Sequence, residues 1–141
     1  MNADLSKTTL FRGLPAADLQ ALAGRVTPRT LPADSVVFSE GDPGDSLYLI
    51  LSGKVKICLH DANGKEFIVD VRNAGGYVGE MMLDGSPRSA TVEATTGMRL
   101  LVIGQREFWA LVATAPQITR RIMSALSQRI REANAAYSAC S

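Results

Sequence analysis

The chain has 141 residues, 46% of them hydrophobic and 21% charged, which suits a single globular domain able to bury a core without disulfide or metal staples and excludes wholesale disorder. Lys plus Arg number 15 against 14 Asp plus Glu, for a formal charge of +1, so the composition encodes no chain-wide electrostatic grip on nucleic acid or an anionic membrane.

In chain order, an N-terminal helical segment is expected over about residues 5–24. Leu14, Leu19, Leu22 and Ala23 fall near one helical face, and Gly24 stands as a stop. Pro28 and Pro32 then punctuate the chain, and the pattern changes to short strands. Ser35–Phe38 and Ser46–Leu51 read as strands, separated by the turn formers Glu40-Gly41-Asp42-Pro43-Gly44-Asp45. From Lys54 to His60, the apolar Val55, Ile57 and Leu59 alternate with Lys54, Lys56, Cys58 and His60. Past Asn63-Gly64 the alternation resumes with Phe67, Val69 and Val71 against Glu66, Asp70 and Arg72, broken by Ile68. Asn-Gly between alternating runs signals a hairpin, because both residues tolerate positive φ. Two more strands are expected at Ala90–Ala94 and Arg99–Ile103. Strands so short and so spaced point to an antiparallel sandwich or barrel rather than a βαβ sheet.

Helices occupy the rest, over about 105–138. Gln105–Thr114 forms one helix, and Pro116 suits the first turn of a second that runs towards Tyr137. On that second helix Met123, Leu126, Ile130, Ala133 and Tyr137 follow steps of three, four, three and four. This is a heptad seam suited to a partner helix in a homodimer, although the same stripe also fits packing against its own domain.

The segment from Gly75 to Val92 carries the chemistry. It leaves a strand, passes closely spaced glycines, makes about one helical turn and re-enters a strand through Pro87-Arg88-Ser89-Ala90. Gly79 lets a ligand approach the backbone, and N–H groups at the start of the turn Glu80–Leu83 can point at phosphate oxygens. Arg88 offers paired planar donors and Ser89 a hydroxyl, while Glu80 suits a sugar hydroxyl better than a phosphate. Taken singly, Glu80 also fits a helix N-terminus, Arg88 an exposed turn and Gly79 a bulge. Composition and spacing therefore reach only an anion site.

Resemblance reaches further. From about Leu10 to Tyr137 the chain resembles a cyclic nucleotide-binding domain, in the style of the sensor domains of catabolite activator protein and FNR-type regulators. The residues that carry it are Leu10-Phe11-Arg12-Gly13-Leu14, Phe38-Ser39-Glu40-Gly41-Asp42-Pro43-Gly44-Asp45-Ser46-Leu47-Tyr48, Leu51-Ser52-Gly53-Lys54-Val55, and above all Gly79-Glu80 with Pro87-Arg88-Ser89-Ala90-Thr91. The resemblance implies a mainly β fold with flanking helices: an antiparallel, jelly-roll-like β-roll over about 28–104, plus a long C-terminal helix, in one domain spanning 1–141. It implies that Glu80 binds a ribose 2′-hydroxyl, that Arg88 and Ser89 bind the cyclic phosphate, and that the backbone at Gly79 and Met81 lines the pocket. In this family the C-terminal helix closes over the base. There Ala133 and Asn134 stand where a Thr-Ser pair contacts adenine in one member, so Asn134 is the residue able to bond a base edge. Arg129 falls where an arginine approaches the acid matched by Glu80. Glu80 and Arg88 are eight positions apart, shorter than the family's usual spacing.

The implied ligand is a cyclic nucleotide, cAMP before cGMP, with no prosthetic group. Single His60 supports no Ser-His-acid or Cys-His arrangement, and the metal clusters of phosphodiesterases are absent, so no enzyme is expected. Cys58 and Cys140, without CxxC spacing, read as reduced thiols of a cytoplasmic protein with neither zinc nor an iron–sulfur cluster. The N-terminus shows no apolar secretion segment, and no run approaches the ~20 residues of a membrane helix. No helix-turn-helix follows Tyr137, so this chain alone is not expected to bind DNA, and no DNA-binding domain is expected in it. Three readings follow: a cyclic-nucleotide sensor signalling through a dimer helix, a dimerising module that binds no nucleotide, or the sensor part of a DNA-binding regulator.

Overall fold

A computed structural model describes residues 2–79 and 86–114, together with Pro116, Thr119, Arg120, Met123, Ser124 and Ser127. Helices α1 (Asn2–Ser6) and α2 (Ala16–Ala23) precede β1 (Val26–Leu31), β2 (Val36–Phe38), β3 (Ser46–Ser52), β4 (Lys54–His60), β5 (Glu66–Asn73), β6 (Tyr77–Val78), β7 (Thr91–Ala94) and β8 (Met98–Gly104), followed by α3 (Gln105–Thr114). The strands form two four-stranded sheets, in the orders β1-β8-β3-β6 and β2-β7-β4-β5. Every pairing is antiparallel.

Two cores explain the continuous apolar runs Leu47–Leu51 and Leu100–Ile103. On β3, Leu47 and Leu49 face the helices, where they meet Leu10, Phe11, Leu22 and Phe108. Tyr48 and Ile50 face the opposite way, into the space between the sheets, with Val55, Val78 and Val92. The paired strand β8 divides likewise, Leu101 and Ile103 outward to the helices and Met98 and Leu100 inward. A strand covered on both faces loses polar alternation and becomes an unbroken apolar run.

Several local expectations are revised. Pro28 does not interrupt the fold: it lies within β1, opposite Leu101. It is tolerated because β1 is an edge strand, where a missing N–H breaks no inner ladder. Strand β6 was not anticipated, being two residues that pair with Tyr48 and Leu49 between glycine-rich segments. In the β4–β5 turn only Gly64 has positive φ, at 80°. Asn63 instead donates its N–H to Asp61 Oδ1 at 2.9 Å, so Asp61 organises the turn.

Alternation also misplaces two residues of the β4–β5 hairpin, whose register shifts between Ile57 and Cys58. Cys58 is fully buried and Leu59 is exposed. Of the expected long C-terminal helix, the seam residues Leu126, Ile130, Ala133 and Tyr137 lie outside the described residues, while Met123 is exposed.

Burial pushes the Cys58 thiol up from 9.0 to about 11, helped by the Glu66 carboxylate that accepts its S–H at 3.4 Å. The folded chain therefore keeps this proton where the unfolded chain loses it. Its contribution to stability is complete below pH 9 and disappears as the pH rises to about 11. Urea unfolding across that range should show a falling midpoint, with a shallower fall in Cys58→Ala; equal slopes would count against this account.

Candidate ligand-binding site

Arg88 sits where a loop from residue 86 enters β7, and two backbone bonds fasten it to the turn before β3. Its N–H donates to Asp42 O at 2.8 Å, and its carbonyl accepts from Gly41 N–H at 2.8 Å. Asp42 closes that turn by accepting the Ser39 N–H at 2.9 Å. Thr91, three residues further, is buried and accepts the Glu40 N–H at 3.0 Å. The turn formers between β2 and β3 thus have a purpose beyond turning: they hold the base of Arg88.

The side chain is only 3% exposed, which removes the exposed-turn alternative. Nη1 donates to Gly79 O at 2.9 Å and Nη2 to Ser46 O at 2.6 Å. The guanidinium carbon lies 4.2 Å from the centroid of the Phe38 ring and 5.9 Å from that of Tyr48. Carbonyl oxygens and ring faces supply the partial negative charge that a desolvated cation needs.

Gly79 has a different role from the one expected of it. Its φ is +91°, and a Cβ there would meet Ser46 O at 2.8 Å and Arg88 Nη1 at 2.9 Å. The missing side chain makes room for the arginine and its carbonyl partner, not first for a ligand.

Beside this group opens a cavity of about 100 Å3. Gly79, Arg88 and Ser89 line one part of it, while Phe38, Ile57, Val78 and Val92 give it apolar walls. The structure therefore brings together three of the expected site residues: Gly79, Arg88 and Ser89. Glu80, Met81 and Asn134 lie outside the described residues, as does Arg129.

Sequence reasoning missed Arg72, which also lines the cavity. Its Nη1 donates to Tyr77 O at 2.9 Å, and its Nε pairs with Asp70 Oδ2 at 3.3 Å. Alternation marked it only as polar; the missed sign was a charged residue at the end of a strand that runs into the glycine-rich segment.

Away from the cavity, His60, Glu66 and Glu93 place ligating atoms within 4.8 Å of one another. The Lys56 ammonium lies there too, 2.6 Å from Glu66 and 3.6 Å from Glu93. Its hydrogen bond to Glu66 raises the lysine pKa and lowers that of the carboxyl.

A cyclic nucleotide-binding domain family model matches residues 28–115, more than half of the chain. The chain belongs to the cyclic nucleotide-binding domain family. A CRP-like cAMP-activated global transcriptional regulator of Mycobacterium tuberculosis is 30% identical over 95% of this chain and 60% of its own length. The crystal structure of Thermus thermophilus catabolite activator protein superposes with a TM-score of 0.82 at 30% identity, covering 93% of this chain and 62% of that one. The regulatory domain of Toxoplasma gondii PKA, crystallised with cAMP, gives 0.69 at 29% identity over 78% of this chain and 42% of that one. The chain thus spans less than two-thirds of the length of these relatives. The β-roll and the regulator-type family of the domain agree with the sequence expectation. No described helix is long and apolar enough to cross a membrane.

Because the space at Gly79 is occupied by Arg88, Gly79→Ala should cost about 1–3 kcal/mol through left-handed strain and displacement of the guanidinium. Equilibrium urea unfolding reads this directly. A loss below about 0.5 kcal/mol, the range of neutral surface changes, would show that the contact is not needed.

Proposed function

We propose that the chain is a non-catalytic cyclic-nucleotide sensor module that works in the cytoplasm. The observation that carries this reading is a guanidinium, 3% exposed, lining an otherwise largely apolar cavity beside a serine hydroxyl. An anion entering that cavity meets a cation already desolvated and fixed in orientation. The ligand then forfeits water, while the guanidinium itself needs no further ordering. A cyclic phosphodiester suits such a place, having one negative charge spread over two exocyclic oxygens that paired N–H donors can match.

In this reading Arg88 and Ser89 bind the phosphate. Glu80 accepts the ribose 2′-hydroxyl, the backbone at Gly79 and Met81 lines the cassette, and Asn134 meets the base edge. The cAMP-activated regulators among the relatives make cAMP the first ligand to test and cGMP the second. Binding orders the segment between Gly79 and Arg88 and shifts the helix from Pro116 towards Tyr137. The chain forms a homodimer along Met123, Leu126, Ile130, Ala133 and Tyr137, so the signal leaves through that helix. Such a switch requires the ligand to bind two helix arrangements with different affinity. The transcriptional regulators it resembles favour a place as the sensing part of a DNA-binding regulator.

Calorimetric titration with cAMP and cGMP tests this. Arg88→Ala should weaken binding by about 2–4 kcal/mol, because it strands a desolvated phosphate. Unchanged affinity in the variant would remove Arg88 from the site. No saturable heat and no rise in melting temperature with either ligand would favour the dimerising module that binds no nucleotide.

A further inference from the structure

The outer face of the sheet β2-β7-β4-β5 gathers metal-binding groups that lie far apart in the sequence. Along β4, Lys56, Cys58 and His60 stand on one face, because side chains alternate along a strand. Register brings two acids to the same face: Glu66 on β5 stands opposite His60, and Glu93 on β7 opposite Lys56. Their neighbours Ile57 and Val92 turn the other way and line the cavity. The cluster therefore lies behind the cavity wall.

The ligating atoms of His60, Glu66 and Glu93 all lie within 4.8 Å of one another. His60 and Glu66 are exposed and Glu93 is partly buried, so an ion reaches them from solvent. The two oxygens of Glu66 are engaged differently. Oε1 accepts from Lys56 Nζ at 2.6 Å and from the buried Cys58 S–H at 3.4 Å. Oε2 is turned towards His60 Nε2, 3.9 Å away. Bonds of about 2.0–2.1 Å to one tetrahedral zinc ion would set such a pair about 3.4 Å apart. A small rotation of the exposed imidazole closes that gap. The ion pairs of Lys56 with Glu66 and Glu93 account for the carboxylates, with one negative charge left over. They do not account for the imidazole at the remaining oxygen of Glu66.

We propose that His60, Glu66 and Glu93 bind a divalent transition-metal ion of the zinc type, which clips β4, β5 and β7 together behind the cavity. An imidazole nitrogen with two carboxylates suits zinc and its neighbours, whereas magnesium and calcium prefer oxygen ligands alone. Three protein ligands leave a fourth position to water. Cys58 orients the Glu66 carboxylate through Oε1, the task that hydrogen-bonded partners perform for metal ligands. The Lys56 ammonium takes up part of the negative charge and so opposes the ion. The three ligands meet only in the folded sheet, and the expectation of no zinc, drawn from sequence spacing, is reversed.

His60 is the single histidine of the chain, so its ring signals report this site directly by NMR. Zinc chloride titrated into the full chain, in a buffer containing millimolar magnesium, should shift those signals saturably. Glu93→Gln, read through the same ring, should weaken zinc by about tenfold or more. Lys56→Gln should tighten it, which chance binding to other surface carboxylates would not produce. Ring signals that stay unmoved in the unaltered chain overturn the proposal, and this arm depends on no variant. Equal affinity in Glu93→Gln, weaker binding in Lys56→Gln, or displacement of zinc by the magnesium would overturn it as well.

Discussion

A desolvated guanidinium organises this domain. Arg88 is buried among the Gly79 and Ser46 carbonyls and the Phe38 and Tyr48 rings, partners that come from three separate parts of the chain. Ser46 and Tyr48 belong to β3, Phe38 to β2, and Gly79 to the segment just after β6. A cation taken out of water must find polar partners or be expelled, so these elements must arrive together. The positive φ of Gly79, the closed turn around Asp42 and the backbone clasp between Gly41 and Arg88 all follow from that demand.

The two cores make the arrangement stiff enough to matter. Strand β3 is locked on both faces, with Leu47 and Leu49 against the helices and Tyr48 and Ile50 inside the roll. Ser46 O and the Tyr48 ring, two of the contacts on Arg88, therefore stand on a strand packed on both faces. The helical layer and the cavity share the same short piece of chain: Tyr77 packs in the helix-side core and Val78 in the inner one. Its next residue, Gly79, touches the arginine.

Much of the roll could be read from residue order. Lys54–His60 and Gln105–Thr114 have the boundaries expected from alternation and helical spacing, and the turn residues from Glu40 to Asp45 lie between strands as anticipated. The misses have physical causes. Pro28 argues against a strand unless the strand is an edge, and edge position depends on partners far along the chain. Strand β6 is too short to show a period. Cys58 and Leu59 exchange places because a register shift in the hairpin changes which side meets the core. At the site, Gly79, Arg88 and Ser89 were visible as a motif, but the work Gly79 does for Arg88 was not, because a clash with a Cβ exists only in three dimensions. Arg72 escaped for a similar reason: its inward placement is set by the Tyr77 carbonyl and by Asp70, neither of which marks it in the sequence.

The central claim is that the buried Arg88 guanidinium is the anion-binding group of the cavity. Side-chain NMR of arginine-labelled protein, with the Arg88 Nε–H signal assigned by its loss in Arg88→Lys, tests this most directly. On titration with cyclic nucleotide, the signal should shift in proportion to occupancy and saturate with it. Saturating binding that leaves the Arg88 signal unmoved would place the phosphate elsewhere and contradict the account.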